Sequence, residues 1–354
     1  MKLNKVCLAS LLALSIFTLG SCGKKTTKKN SSSDNTTTTT KVNTTAKPST
    51  TKSNLKVVNE GNMKYVITLD KNDNDSVIYC YYKDGNKEIP YGSVYREYDS
   101  KGRVTDSHSY TYDSKKQEYV GYKGFSKTYD DKGRLQQETE IRFDSEKKIF
   151  YIAFWYVYEF DELDRVVKTT VQRGYVDTNS LKPWSINTTT YGENTKTINR
   201  AYYSTSTQTY SDTHLETITY DSKKRVVSDD TKLFGKNDSL VEYEYDDDNN
   251  LTTEIRYTTD SDKNYVPREK SVITGDIDYP THLTRYGYDN GYYIDVEYDA
   301  TYDEYGMMEY IQRTWDGTEF VNSQRVITVT DKYDLYAYKA LYTWNGTSWV
   351  EQEI

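Results

Sequence analysis

The chain has 354 residues, of which 28% are charged, and its formal net charge is −8. From Leu55 onward 37 Lys and Arg stand against 53 Asp and Glu. Such an acidic region repels phosphate backbones, so we expect no nucleic-acid partner. The sequence also lacks a Gly-rich phosphate loop, a nucleophile elbow and an HExxH motif, and its three histidines lie far apart. We therefore expect no enzyme, no cofactor and no metal site.

Residues 1–21 are predicted to be a signal peptide. Two lysines precede an apolar run of 14 residues, Val6 to Leu19, whereas a membrane-spanning helix needs about 20. The run ends in Leu-Gly-Ser-Cys, which resembles the lipobox of bacterial lipoproteins. The resemblance implies that Cys22 carries the lipid and begins the mature protein. It also implies a membrane partner through this anchor, at the bacterial cell surface on the outer face of a membrane.

Residues 22–54 follow as a tether. Beyond Cys22 this segment consists almost entirely of Lys, Thr, Ser and Asn, so it cannot bury enough apolar surface to offset the entropy of ordering. We expect it to be disordered and to hold the next segment, 55–354, away from the membrane.

Residues 55–354 contain an internal repeat. One series of turn-like segments has members that start at Tyr98, Tyr129, Phe160, Tyr191, Tyr220, Tyr245 and Tyr302. Its first three members, YDSKGRV, YDDKGRL and FDELDRV, follow one another at steps of 31 residues. A second series alternates with it and includes YDSKKQEY, FDSEKKIF, WDGTEFV and WNGTSWV. Polar and aromatic or β-branched residues alternate between the turns, which is the period of a half-buried strand. Each repeat is therefore predicted to be one β-hairpin, giving about 18 strands from the spacing of the turns.

The turns carry their own signals. Aspartate after the aromatic residue can accept hydrogen bonds from backbone amides two residues on. A glycine, which tolerates a left-handed backbone, follows at residues 102, 133 and 306. Asp164 and Asn249 stand at the same position and tolerate that conformation, whereas Lys224 does not fit the rule.

The pattern resembles the YD-repeat family, which is found in bacterial Rhs-type proteins and animal teneurins. YDSKGRV and YDDKGRL match its xxYDxxGRL motif closely, and the match is good over Tyr98–Val166. The resemblance implies a spiralling β-sheet, and some family members bind carbohydrate. We expect an all-β fold of tandem antiparallel β-hairpins forming a long curled meander, with one face packed by Tyr and Trp. A closed β-barrel is the alternative.

The segment Ile149–Phe160 departs from the alternation, because nearly every residue in IFYIAFWYVYEF is apolar or aromatic. One interpretation is that other parts of the sheet cover both of its faces. The other is an exposed aromatic patch of Trp155, Tyr156 and Tyr158 that binds a ligand. The predicted function is accordingly a lipid-anchored binding or adhesion module for a surface glycan or protein. The alternative is a surface spacer without a ligand.

Three further features are expected to be structural. The oxygen-rich loop that starts at Asp70 fails the EF-hand pattern, so a plain hairpin turn is favoured over a calcium site. Cys80 lies in the strand-like VIYCYY and is predicted to be a small buried hydrophobic residue. His108, His214 and His282 are expected to be ordinary strand or loop residues.

Overall fold

The computed structural model of this protein describes residues 55–178, 180–248, 250–275, 280–303 and 307–352. Cys22, the signal peptide and the tether lie outside these ranges, as do Asn249 and Gly306. Within them the chain forms 22 β-strands. The strands are longer in the first half of the sheet, where 10 and 12 residues alternate from the fifth strand to the twelfth.

The first eleven strands are β1 Leu55–Glu60, β2 Met63–Leu69, β3 Asp75–Asp84, β4 Lys87–Tyr98, β5 Val104–Asp113, β6 Glu118–Tyr129, β7 Leu135–Asp144, β8 Ile149–Phe160, β9 Val166–Tyr175, β10 Ser180–Tyr191 and β11 Thr195–Ser204. The remaining eleven are β12 Thr209–Tyr220, β13 Val226–Leu233, β14 Lys236–Tyr245, β15 Leu251–Thr259, β16 Tyr265–Gly275, β17 Pro280–Tyr288, β18 Tyr292–Tyr302, β19 Met307–Trp315, β20 Phe320–Thr330, β21 Tyr336–Trp344 and β22 Trp349–Gln352.

Each strand pairs antiparallel with the next one along the chain, from β1–β2 to β21–β22. All 22 strands belong to one sheet, and across the described residues β1 pairs only with β2 and β22 only with β21. The prediction of an all-β meander of tandem hairpins is thus confirmed, and the sheet is not closed into a barrel. The number of strands exceeds the 18 predicted, because turns outside both series, such as those at residues 61–62, 85–86 and 205–208, also separate strands.

The turns after Tyr98, Tyr129, Phe160 and Tyr220 share one geometry. Tyr98 ends β4, and in the turn that follows one carboxylate oxygen of Asp99 accepts hydrogen bonds from the backbone N–H of Lys101 and Arg103, at 2.9 and 3.0 Å. The other oxygen accepts from Nε of Arg103 at 2.7 Å. Gly102 has φ +74°. The carboxylate therefore closes the turn on both the backbone and the arginine.

The left-handed residue is present in all four of these turns. Gly133 has φ +86° and Asp164 has φ +60°, as the sequence predicts. Lys224 also adopts a left-handed φ, of +63°, although its residue type argued against it. The carboxylate of Asp221 supports that turn as Asp99 supports the first, which offsets the steric cost at Lys224.

Consecutive turns of this series touch one another through a ladder of side chains. The guanidinium of Arg103 lies 3.9 Å from the ring centroid of Tyr129, the aromatic residue of the next turn. The same contact joins Arg134 to Phe160, Arg165 to Tyr191 and Arg225 to Tyr245, at 4.4, 4.4 and 4.6 Å. The hydroxyl of Tyr245 also donates 2.7 Å to the carbonyl of Val226, and Tyr191 and Tyr129 donate to Val166 and Val104. Through these contacts each hairpin is stabilised by its neighbours.

At the opposite ends of the strands, the second series of turns is flanked by pairs of aromatic rings. The rings of Tyr112 and Tyr119 lie 5.1 Å apart at 65°. Five more such pairs are Phe143–Phe150, Tyr203–Tyr210, Tyr288–Tyr292, Trp315–Phe320 and Trp344–Trp349. Edge-to-face geometry of this kind adds about 0.5–1.5 kcal/mol per pair beyond burial. Gly317 and Gly346, in the WDGTEFV and WNGTSWV turns of this series, have φ of +106° and +97°, in the region that favours glycine.

The turn after β20, Asp331–Leu335, differs from the others because it packs on the sheet itself. We call it the closing turn. Its Leu335 and Tyr333 join a cluster with Tyr65, Ile78 and Val94 of β2–β4, and Leu335 is only 1% exposed. The Asp331 carboxylate accepts a 2.6 Å hydrogen bond from the hydroxyl of Tyr91. The C-terminal end of the meander is thus held against the N-terminal end by side chains rather than by strand pairing.

Candidate binding surface

Cross-strand register assigns each side chain to one of two faces. Partners in adjacent strands share a face and neighbours along a strand alternate. We call face A the side that carries Tyr65, Val94, Tyr156 and Arg200, and face B the opposite side. The closing turn covers face A at β2–β4, because its cluster includes Tyr65 and Val94. Aromatic residues occupy both faces: Tyr79 alternates with Ile78 and Cys80 and contacts Tyr119 on face B. The expectation that Tyr and Trp pack a single face is therefore wrong.

The predicted patch in β8 is divided between the two faces. Tyr156 lies opposite Glu138 on face A, and the hydroxyl of Tyr158 donates 3.3 Å to the carboxylate of that same Glu138. Trp155 lies opposite Thr139 on face B. All three side chains are half-buried. Burial raises the pKa of Tyr156, with Glu140 and Glu138 contributing, so this tyrosine stays a neutral hydroxyl donor. The structure brings together Tyr156 and Tyr158 but not Trp155.

A second aromatic group lies on face A two strands further on. The rings of Trp184 in β10 and Tyr202 in β11 meet edge to face at 5.9 Å, and the guanidinium of Arg173 lies 4.9 Å from the ring of Trp184. Trp184 stands at a β-bulge between Pro183 and Ser185, which leaves the ring beside both partners. Trp184 and Tyr202 are half-buried and Arg173 is exposed.

Adjoining this pair is a polar cluster that spans β10 to β13. Asn187 lies directly opposite Arg200, and Nη2 of Arg200 donates 2.7 Å to the carboxylate of Glu216. Asp229 lies on the next strand, where it is the cross-strand partner of Ile218, two residues from Glu216. Three atoms of this cluster are buried and lack a hydrogen-bond partner within the described chain: Oδ1 of Asn187, Nε of Arg200 and Oδ1 of Asp229. Buried polar atoms are nearly always paired, so three in one cluster are unusual.

The electrostatics of the cluster reflect this partial burial. Burial and the neighbouring Glu216 raise the pKa of the Asp229 carboxyl to about 6, against the opposing charge of Arg200. Burial and Arg200 lower the pKa of His214, which lies opposite Arg200 on β12. Both shifts favour the neutral forms of groups that line one stretch of face A. The cluster can therefore both donate and accept hydrogen bonds near pH 7.

The sequence gives little sign of this cluster. Asn187, Arg200, Glu216 and Asp229 are ordinary polar residues at alternate positions of four strands, and each looks solvent-facing when its strand is considered alone. Only the register joins them. The one usable signal is Trp184 at a break in the alternation of β10.

A surface depression of about 420 Å³ lies between the first two turns of the tyrosine-aspartate series, and Asp99, Arg103, Lys127 and Tyr129 are among the residues that line it. The Asp99 carboxylate and the ring of Tyr129 are already engaged by Arg103. The residues that line this depression therefore stabilise the turns, and the depression is a weaker candidate for binding than the polar cluster.

The residues expected to be structural have defined partners. Asp70 accepts hydrogen bonds from the backbone of Asn72 and Asn74, so its loop is a hairpin turn. Cys80 is fully buried, and burial raises the pKa of its thiol. His282 contacts the carboxylate of Asp299 at 2.7 Å, and His108 that of Asp106 at 2.9 Å.

Two features are absent from the described residues. No three His, Cys, Asp or Glu side chains within those ranges are grouped so that they could hold a metal ion. Nor does that part of the chain contain a helix of the length and apolarity needed to cross a membrane.

No protein-family profile matches the sequence, and no curated protein is similar to it at a significant level. Solved structures with detectable similarity include a DUF3836 family protein from Bacteroides vulgatus, 16% identical with a TM-score of 0.23, which covers 27% of this chain and 96% of its own. The TcdB2-TccC3-TEV structure is 13% identical with a TM-score of 0.37, covering 81% of this chain but 17% of its own. A porin-like protein from Bacteroides uniformis is 8% identical with a TM-score of 0.31, over 61% and 88% of the two chains.

Proposed function

We propose that this chain is a lipid-anchored module on the outer face of a bacterial membrane that binds a surface glycan or protein through face A of its middle strands. One observation carries the proposal: between β8 and β13 this face carries two half-buried aromatic pairs, Tyr156–Tyr158 and Trp184–Tyr202, beside the polar cluster, in a stretch distinct from the strands that the closing turn covers. Aromatic rings next to polar side chains are the composition of a recognition surface.

The repeats are inferred to be of the YD type. Support comes from the recurring turn, in which the aspartate accepts from the backbone two and four residues on, and the arginine four residues on contacts the next aromatic ring. These are the residues that the xxYDxxGRL motif specifies.

The binding proposal is tested with the full-length chain on arrays of glycans and extracellular matrix proteins. Replacing Tyr156 and Tyr158 together by Ala should weaken binding, because both lie on face A. The matched control is Trp155→Ala, which alters the same strand on face B. Thermal melting of each variant separates lost binding from lost folding. If the wild-type chain binds nothing on either array, the proposal fails.

The anchor is tested separately. Labelled palmitate should enter the wild-type chain, and Cys22→Ala should abolish labelling and release the protein to the soluble fraction. Undiminished labelling of that variant would contradict lipidation at Cys22.

A spacer without a ligand is the second candidate, and the ladder of turn contacts favours it. Arginine–aromatic contacts and tyrosine hydroxyls link successive turns from β4 to β10 and again from β12 to β14. Such a ladder supports a long sheet whether or not a ligand exists. A wild-type chain that binds no arrayed glycan or protein would leave the spacer as the function.

A further inference from the structure

We propose that a row of aromatic rings on face B of β17–β22 binds an extended, uncharged polysaccharide. We call this row the aromatic strip. It consists of three ring pairs at the tips of three consecutive hairpins, namely Tyr288–Tyr292, Trp315–Phe320 and Trp344–Trp349. The inference goes beyond the proposed function, because it assigns a second binding surface on the other face of the sheet and in other strands.

The register of the strands places the strip on one face. The two rings of each pair belong to directly opposed residues of their hairpin. Arg285 and Thr314 belong to one row of cross-strand partners on face A. Tyr288 and Trp315 stand three residues and one residue further along their strands, so their rings lie on face B. The same alternation puts Trp344 on face B.

The strip is accessible, although part of the same face is covered nearby. Three of its six rings are more than a third exposed, namely Tyr288, Tyr292 and Trp315, at 39, 42 and 38%. Next to the closing turn, face B of β21 packs on β3, where the rings of Tyr338 and Tyr82 stack at 6.0 Å. Trp344 lies six residues beyond Tyr338, which is roughly 20 Å along the strand. The strip therefore lies past this contact.

The charges around the strip argue against an anionic ligand. No Lys or Arg occurs in residues 286–303, 314–324 or 340–352, which carry the strip, whereas Asp289, Asp316 and Glu319 stand in its turns. Arg325 lies over the ring of Tyr342 on the same face, but its Nε donates 2.6 Å to the carboxylate of Glu309. An anionic polymer or an anionic lipid headgroup would thus meet carboxylates rather than cations at the tips.

The spacing and chemistry of the rings suit a sugar polymer. Adjacent strands lie about 4.8 Å apart, so the hairpin tips repeat every ~10 Å, close to the length of a disaccharide in an extended β-linked chain. Tyr and Trp rings combine an apolar body with a polar hydroxyl or N–H. They can therefore contact both the C–H face of a sugar ring and its hydroxyl groups. A polymer that lies across the three tips would meet one ring pair per disaccharide.

Titration of the full-length chain with fragments of β-1,4-glucan, β-1,3-glucan and β-1,4-mannan, each from two to eight sugars long, tests the strip. We expect at least one series to bind, and its affinity should rise tenfold or more from two to six sugars, because longer fragments reach further ring pairs. Trp315→Ala, at the middle tip, should lower the affinity of the six-sugar fragment tenfold or more, and Tyr292→Ala should weaken it as well.

Tyr210→Ala is the matched control. Tyr210 forms the same kind of ring pair with Tyr203, at 5.2 Å, at the same end of the sheet, and it is 36% exposed. It lies on β12, outside the strip, so this variant should bind as wild type does. If Trp315→Ala lowers the melting temperature, Tyr292→Ala decides the question, because its ring is the most exposed of the strip.

The outcomes separate this inference from the proposed function. Polygalacturonate, chitosan and phosphatidylcholine vesicles are the competing probes, and binding only to one of them would overturn the strip. Neutral fragments that bind equally well to wild type, Trp315→Ala and Tyr292→Ala would also overturn it. If the Tyr156 and Tyr158 double variant alone loses binding, the strip fails while the proposed function stands. If the strip variants alone lose binding, the strip stands and face A is not the binding surface. A chain that binds no neutral fragment contradicts the strip and leaves the proposed function to the protein arrays.

Discussion

Face A is built in two ways within one sheet. Across β2–β4 it carries Tyr65, Ile78 and Val94, each at most 1% exposed, because the closing turn covers them. Across β10–β13 the same face carries Asn187, Arg200, Glu216 and Asp229, of which none is fully buried.

The two regions are stabilised by different contacts. A single-layer sheet without a covering element buries little apolar surface, so its middle strands depend on neighbouring hairpins and on the ladder of turn contacts. Apolar burial is concentrated where the closing turn meets β2–β4. The middle of face A is consequently free to carry polar groups that would be costly under a covering layer.

The largest expected effect on the free energy of unfolding comes from truncating a buried side chain of the closing turn. Leu335→Ala removes a side chain that is 1% exposed and packs against β4, and such truncations cost about 2–5 kcal/mol of unfolding free energy. Chemical denaturation measures the change. Leu163→Ala is the control, because Leu163 also lies in a turn between two strands but is 71% exposed. Its cost should stay within about 0.5 kcal/mol. Equal costs for the two variants would show that the closing turn does not stabilise the sheet.

A smaller effect is expected from crowding the same contact. Gly92 lies beneath the closing turn, and a Cβ there would approach Cδ1 of Leu335 to 2.7 Å and the carbonyl oxygen of Tyr110 to 2.8 Å. Gly92→Ala should therefore cost about 1–3 kcal/mol, as overpacked cores do. Combined with Leu335→Ala, it should cost less than the sum of the two, because the shortened side chain relieves one of the clashes. Additive costs would contradict the contact.

The contrast between the two regions could be predicted only in part. Alternating patterns and Asp-containing turns identify hairpins because both signals are local, and so the meander followed from the sequence. The closing turn did not, although it has a local sign: Leu335 stands four residues after Asp331, where other turns carry Arg103, Arg134 or Arg165. A hydrophobic residue at that position indicates a turn that is covered rather than exposed.

The candidate site was less accessible to prediction than the fold. The run of aromatic residues in β8 suggested one patch, but alternation places Trp155 on the face opposite Tyr156 and Tyr158. The polar cluster depends on the register of four strands, and several β-bulges shift that register. A one-residue shift exchanges the two faces, so composition alone cannot indicate which polar residues meet.

An intermediate effect on stability is expected from the hydroxyl contacts of the ladder, which lie away from the closing turn. Tyr245→Phe removes the hydroxyl that donates 2.7 Å to the carbonyl of Val226 but keeps the ring beside Arg225. The loss of one such bond costs about 0.5–1.5 kcal/mol. Tyr336→Phe is the control, because the side chain of Tyr336 is 52% exposed. Denaturation curves that coincide for the two variants would mean that the hydroxyl contacts between turns do not contribute.

The smallest effect concerns the pH dependence of the uncovered region. Burial and Glu216 raise the pKa of Asp229 from 3.8 to about 6 in the folded chain. The folded state therefore binds this proton more readily than the unfolded state, so the contribution of Asp229 to stability improves as pH falls from 7 towards 4 and worsens as pH rises through about 6. Asp229→Asn, which is neutral throughout, should flatten that part of the melting profile and gain most stability relative to wild type above pH 6.

Asp99→Asn supplies a control of opposite sign, because backbone hydrogen bonds lower the pKa of Asp99. The contribution of Asp99 to stability is lost only as pH falls below the usual range of a carboxylate. Parallel melting profiles for wild type and Asp229→Asn between pH 4.5 and 7.5 would show that the middle of face A is fully solvated, and the comparison with the covered region would lose its electrostatic basis.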